Sequence, residues 1–90
     1  MKKINQLRKE IDKIDSEIID LISRRIEIAK KIGIQKKKEK LSIVDKIREE
    51  KIKETWFLES RNKGLESKYL QNIMKEILKM SKEHQRRIKH

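Results

Sequence analysis

Apolar residues at Ile4, Leu7, Ile11, Ile14, Ile18 and Leu21 step by three and four along the start of the chain, and Ile28 and Ile32 continue the step. That spacing returns to one face of an α-helix each turn. It predicts one helix from residue 4 to about residue 38, with Glu10, Asp12, Asp15, Glu17 and Asp20 set among lysines and arginines on its outer face. Gly33 falls inside this helix, at a cost of about 1 kcal/mol relative to alanine. The stretch "KKKEKL" then reads as a lysine-rich, solvated connection, Lys36 excepted. "SIVD", residues 42–45, has the Ser-x-x-acid capping pattern that opens a helix. A second helix is expected from there to about Arg61, with Ile43, Val44, Ile47, Ile52, Trp56 and Leu58 available for burial. "SRNKG" closes it, and Gly64 suits a left-handed cap position. A third helix, about 66–87, carries Tyr69, Leu70, Ile73, Met74, Ile77 and Leu78.

The expected architecture is all-α, three helices in a single domain over residues 1–90, with the first helix much the longest. A helix over residues 4–38 is about 50 Å long. A compact chain of this length has a radius of gyration of only about 12 Å. One chain cannot cover such a seam, so the pattern predicts an obligate homodimer with the long helices packed along each other.

Composition changes the picture little until charge is counted. Charged residues make up 46% of the chain and apolar ones 34%, a balance that would favour disorder if the apolar residues were scattered rather than periodic. Proline is absent, so little interrupts the helices. Without cysteine there is neither a disulfide nor a thiolate nucleophile or metal ligand. His84 and His90 have no metal-ligand partners at useful spacing, so no metal is expected. Mixed charges through the first twenty residues argue against a signal peptide or a membrane span, which makes a cytoplasmic protein the expectation. The net charge of +11 fits either a nucleic-acid binder or a solvated surface whose field draws in a small anion.

The polar residues that interrupt the apolar stripes separate these readings. After Leu21 the next seam position is Arg25, inside "SRRIEIAKKIG". A charged residue there either sets helix register or snorkels to the surface. Lys36, however, follows eleven residues later, three turns on and about 20° around the same helix, so the two cations can bracket a small anion. Arg8, at the seam's edge, is about 25 Å from Arg25. In an antiparallel pair of long helices, Arg8 of one chain could approach Arg25 of the other. In the third helix, Met74, Leu78, Ser81, Gln85 and Ile88 form a stripe with two polar members, which is also compatible with a fraying helix end. Asp45, Arg48 and Glu49 fall within one turn of the second helix, a pattern that a cap and a surface ion pair would also explain.

Taken together, "LRKEIDKIDSEIIDLISRRIEIAKKIGIQK", "VDKIREE" and "SKEHQ" resemble the all-helical (AroQ-type) chorismate mutases. That family shows Leu-Arg-x-x-Ile-x-x-x-Asp early, an arginine before an apolar–Glu–apolar–Ala run, and a lysine eleven residues after that arginine. Asp-x-x-Arg-Glu and a late Ser-x-x-x-Gln follow. The spacings agree without a gap from Leu7 to Gln85. Three positions depart from the pattern: Ser42 where proline is frequent, Arg24 where an acid is common, and the bulky Trp56–Phe57 pair. None belongs to the implied ligand set.

The resemblance implies an intertwined homodimer of three-helix protomers with two shared sites, rearranging chorismate to prephenate on the way to phenylalanine and tyrosine, without a cofactor. It implies that Arg25 and the partner's Arg8 bind the two carboxylates, assisted by Ser81 and Arg48. Lys36 and Gln85 would hydrogen-bond the ether oxygen, and Glu49, with Asp45, the ring hydroxyl. The chemistry is consistent with that set, because a unimolecular pericyclic reaction needs no nucleophile, metal or proton transfer. It needs a compact conformer held between guanidinium clamps and donors aimed at an oxygen that gains negative charge. An isochorismate-pyruvate lyase on the same fold is the nearest alternative. A basic helical nucleic-acid binder would explain the charge but not the polar residues turned into apolar stripes, since a duplex-binding face places its cations outward.

Overall fold

A computed structural model describes residues 1–88; His90 lies outside the described residues. Three helices run in the order α1 (Lys2–Lys38), α2 (Lys46–Asn62) and α3 (Ser67–Arg86). α1 is 37 residues long, about 55 Å at 1.5 Å per residue, and so spans nearly the whole 57 Å long axis of the molecule. The other axes are only 27 and 14 Å. The radius of gyration is 16.6 Å, well above the roughly 12 Å of a compact chain of this length. The molecule is a single thin layer of helices.

α3 is the centre of that layer, packing against α1 on one side and α2 on the other, while α1 and α2 do not approach each other. Ile26 and Ala29 from α1, Ile52 from α2, and Met74 and Ile77 from α3 form the buried apolar core. It is small, and it uses a different face of α1 from the long seam. Ile28 and Ile32, which continue the seam by period, are each about half exposed. Ile4, Leu7, Ile11, Ile14, Ile18 and Leu21 are also about half exposed. All of residues 1–21 lie open, because α3 reaches only the second half of α1. On α2, Ile47, Phe57 and Leu58 face outward too, so of the second helix's expected apolar set only Ile52 is fully buried.

Gly33 is buried at the α1–α3 contact. A β-carbon there would lie 2.7 Å from Ile88 Cδ1 and 2.9 Å from Gln85 Cγ. Carbon atoms prefer about 3.5–4.0 Å. The glycine is thus required by close helix approach as well as tolerated by α1.

The helix ends explain how the loops are aimed. α1 stops where Lys40 takes a left-handed conformation (φ 57°), with the Leu41 amide donating back to the Lys36 carbonyl at 2.7 Å. That six-residue return is the usual helix stop, here without the usual glycine. α2 begins at Lys46, later than the Ser-x-x-acid pattern suggests, with Asp45 as its cap. The Asp45 carboxylate accepts from the Arg48 amide at 3.0 Å. Ser42 instead accepts from the Val44 amide at 3.2 Å, bracing the loop. The residue that opens α2 is therefore Asp45 and not Ser42: the local serine turn competes with helix, and the carboxylate sits at the true first turn. Gly64 (φ 70°) ends α2 as the sequence suggests, with Leu65 returning to the Ser60 carbonyl at 2.8 Å. Among the described residues, no helix is long and apolar enough to cross a membrane.

Candidate active site

Because α1 and α2 stand apart on either side of α3, a cleft opens between them. It encloses about 370 Å³, within the range of small-molecule pockets. Ile28, Ala29, Ile32, Ile43, Ile52 and Leu78 supply its apolar lining. Its polar lining contains seven of the eight residues singled out by sequence: Arg25, Lys36, Asp45, Arg48, Glu49, Ser81 and Gln85. Arg8 is the exception. It is exposed on the open half of α1 and is not brought to the cleft by its own chain.

α1 and α3 are cross-linked through four of these side chains. Arg25 Nη1 donates to Ser81 Oγ at 3.2 Å, and Ser81 in turn donates to the Ile77 carbonyl at 2.9 Å. Gln85, buried on α3, donates its amide N–H to the Ala29 carbonyl at 3.0 Å. Its oxygen accepts from Lys36 Nζ at 3.4 Å. Lys36 also donates to the Ile43 carbonyl at 2.7 Å, which ties the α1–α2 loop back across the mouth of the cleft. Ser81 and Gln85 therefore take core positions because each polar atom has a partner, the condition for burying such groups. Among the described residues two N–H groups stay uncommitted: the third of the Lys36 ammonium and the second of the Gln85 amide.

The electrostatics point to an anion. Burial, and after it the neighbouring Arg48 guanidinium, lower the Arg25 pKa from its ordinary value. Among the described residues neither arginine has a carboxylate partner; the ion pairs are Lys30–Glu27, Lys53–Glu50 and Lys82–Glu49. Two like charges facing one partly desolvated cleft are destabilising until an anion enters between them.

Sequence reasoning missed Lys82. It lines the same cleft and donates to Glu49 Oε1 at 2.9 Å, with both side chains largely covered. The adjacent Ser81 was the available signal, but pairing across 33 residues depends on how α3 lies on α2. The sequence also suggests an ordinary surface pair within Asp45, Arg48 and Glu49, whereas the Glu49 partner comes from α3.

The chain matches the family model for chorismate mutase type II over residues 7–86. A bifunctional chorismate mutase/prephenate dehydratase of Aquifex aeolicus (strain VF5) is 49% identical over 43 residues, which is 48% of this chain and 12% of the relative. The matched stretch is thus a small part of that relative's length. No solved structure gives a significant match.

Proposed function

The chain belongs to the chorismate mutase type II family, and on that footing we propose that it converts chorismate to prephenate by intramolecular rearrangement, an isomerase step toward the aromatic amino acids. The observation that carries this reading is the cleft itself: Arg25 and Arg48, free of carboxylate partners among the described residues, face a space of small-molecule size beside Lys36 and Gln85.

Chorismate carries two carboxylates, and its reacting ends must meet in a compact chair-like arrangement. Arg25, braced by Ser81, holds one carboxylate, with Arg48 assisting. Fixing both ends converts a rarely visited conformer into the bound one. As the C–O bond breaks, negative charge grows on the ether oxygen. The free N–H groups of Lys36 and Gln85 stabilise that charge in a partly dehydrated site. Glu49, with Asp45 beside it, accepts a hydrogen bond from the ring hydroxyl. Residues lining the cleft supply every role but one.

The missing role is the clamp on the second carboxylate, which we assign to the partner's Arg8 in a homodimer. The half-exposed seam from Ile4 to Leu21 supports this assignment. So does the open half of α1, which extends beyond α3 and, among the described residues, has nothing of its own chain to pack on. An antiparallel pairing of two such helices covers both seams and carries each Arg8 toward the other chain's Arg25. Monomers by light scattering at micromolar concentration would exclude the shared site.

The deciding experiment is a spectrophotometric assay of chorismate loss with identification of the product. Prephenate is expected, and an isochorismate control tests the lyase reaction on the same cleft. No turnover of chorismate by the purified dimer would refute the reading.

A further inference from the structure

Glu49 poses an electrostatic problem for the proposed site. A dianionic substrate must bind against a carboxylate, and like charges in a partly desolvated cleft repel. The structure holds a residue that answers it. Lys82 reaches from α3 to α2 and donates to Glu49 Oε1 at 2.9 Å. Among the described residues, it forms the one ion pair that joins two helices; the others link residues three apart on one helix. Both partners are mostly covered, at 29% and 22% side-chain exposure, so the pair is shielded more than a surface pair would be. Glu49 Oε2 has no hydrogen-bond partner among the described residues, which leaves it free to accept. The other acid in the cleft, Asp45, caps α2 through Oδ1 and has no cation paired with it among the described residues.

We infer that Lys82 is a positioning residue for Glu49: it cancels the carboxylate's charge toward the incoming dianion and fixes the carboxylate by one oxygen, so that the other can receive the substrate's hydroxyl. This rests on the proposed reaction. Lys82 acts through Glu49 and need not touch the substrate. A purely structural tie between α2 and α3 would instead affect folding and leave substrate affinity alone.

Steady-state kinetics on Lys82→Met, Lys82→Arg, Glu49→Gln and the Lys82→Met/Glu49→Gln double variant test the inference, with circular dichroism on each to establish folding. Lys82→Met keeps the length of the stem and removes the charge. It is expected to raise KM roughly tenfold, in the usual range for coupled sites, with kcat changed less than about threefold. Lys82→Arg restores KM. On the Glu49→Gln background the same lysine change moves KM less than about twofold, because the group it serves has lost its charge. An unchanged KM in Lys82→Met overturns the inference. An equal rise in KM on both backgrounds also overturns it, by showing that Lys82 acts on the substrate directly. A folded wild type that does not turn over chorismate would refute the proposed reaction and this inference with it. An active wild type with an unmoved Lys82→Met refutes the inference alone.

Discussion

Gly33→Ala tests the link between helix packing and chemistry most directly. The added β-carbon would sit 2.7 Å from Ile88 Cδ1, 2.9 Å from Gln85 Cγ and 3.2 Å from Gln85 Cβ. The Ile88 methyl is the end of a flexible side chain and can turn away. Gln85 cannot follow so easily, since its amide is held by the Ala29 carbonyl and by Lys36. Restoring about 3.5 Å to the Gln85 carbons needs a shift of roughly 0.6 Å at that side chain or at the last turns of α3. Two opposing terms set the stability. Alanine in place of glycine favours the helix by about 1 kcal/mol, while overpacking costs about 1–3 kcal/mol. A net loss of about 1 kcal/mol is expected, which lowers Tm by about 4–8 °C in a chain of this size.

The catalytic effect should be larger in proportion. A displacement of about 1 Å can cost about a hundredfold in rate, so a shift of roughly 0.6 Å at Gln85 should lower kcat about tenfold, with a smaller change in KM. Thermal denaturation and the chorismate assay measure the two effects separately. Adding Ile88→Ala removes the nearest clash but not those with Gln85, and should recover part of the Tm and little of kcat. A Gly33→Ala protein with raised Tm and full activity would falsify the account of α1–α3 spacing.

Three further variants probe separate parts of the structure. Arg25→Met should lower chorismate turnover more than about a hundredfold, the scale for misplacing the reacting ends when a clamp is lost, while Tm stays level or rises. The sign follows from its lowered pKa: the fold disfavours the charged guanidinium, and this penalty is fully present at any pH well below that pKa. The Tm difference from wild type should therefore be constant from about pH 5 to 9, and a fall in Tm would mean that Arg25 stabilises the fold. Asp45→Ala removes the α2 cap and should cost about 1 kcal/mol by urea denaturation; an unchanged midpoint would mean that the 3.0 Å contact to the Arg48 amide contributes nothing. Mixing inactive Arg8→Ala and Arg25→Ala chains, with time for subunit exchange, should return activity, because each heterodimer keeps one intact site. No recovery would show that the sites are not shared.

The three helices, the length of α1 and most of the cleft's polar set are legible in the chain alone. Those features are local or periodic: apolar steps of three and four, a left-handed glycine at residue 64, and polar side chains at stripe positions 25, 81 and 85. A stripe residue that is polar must find a partner or a ligand, so its oddness is visible in one dimension. The tertiary structure decided what periodicity cannot carry. Whether Ile28 or Ile26 is buried depends on the side from which α3 approaches, and it buries Ile26. Gly33 looks like a weak point in a helix until Gln85 is seen lying against it. Lys82 looks like one more lysine among many until the α2–α3 packing sets it 2.9 Å from Glu49. In each case the deciding quantity is the distance between atoms on different helices, which is set when the helices pack.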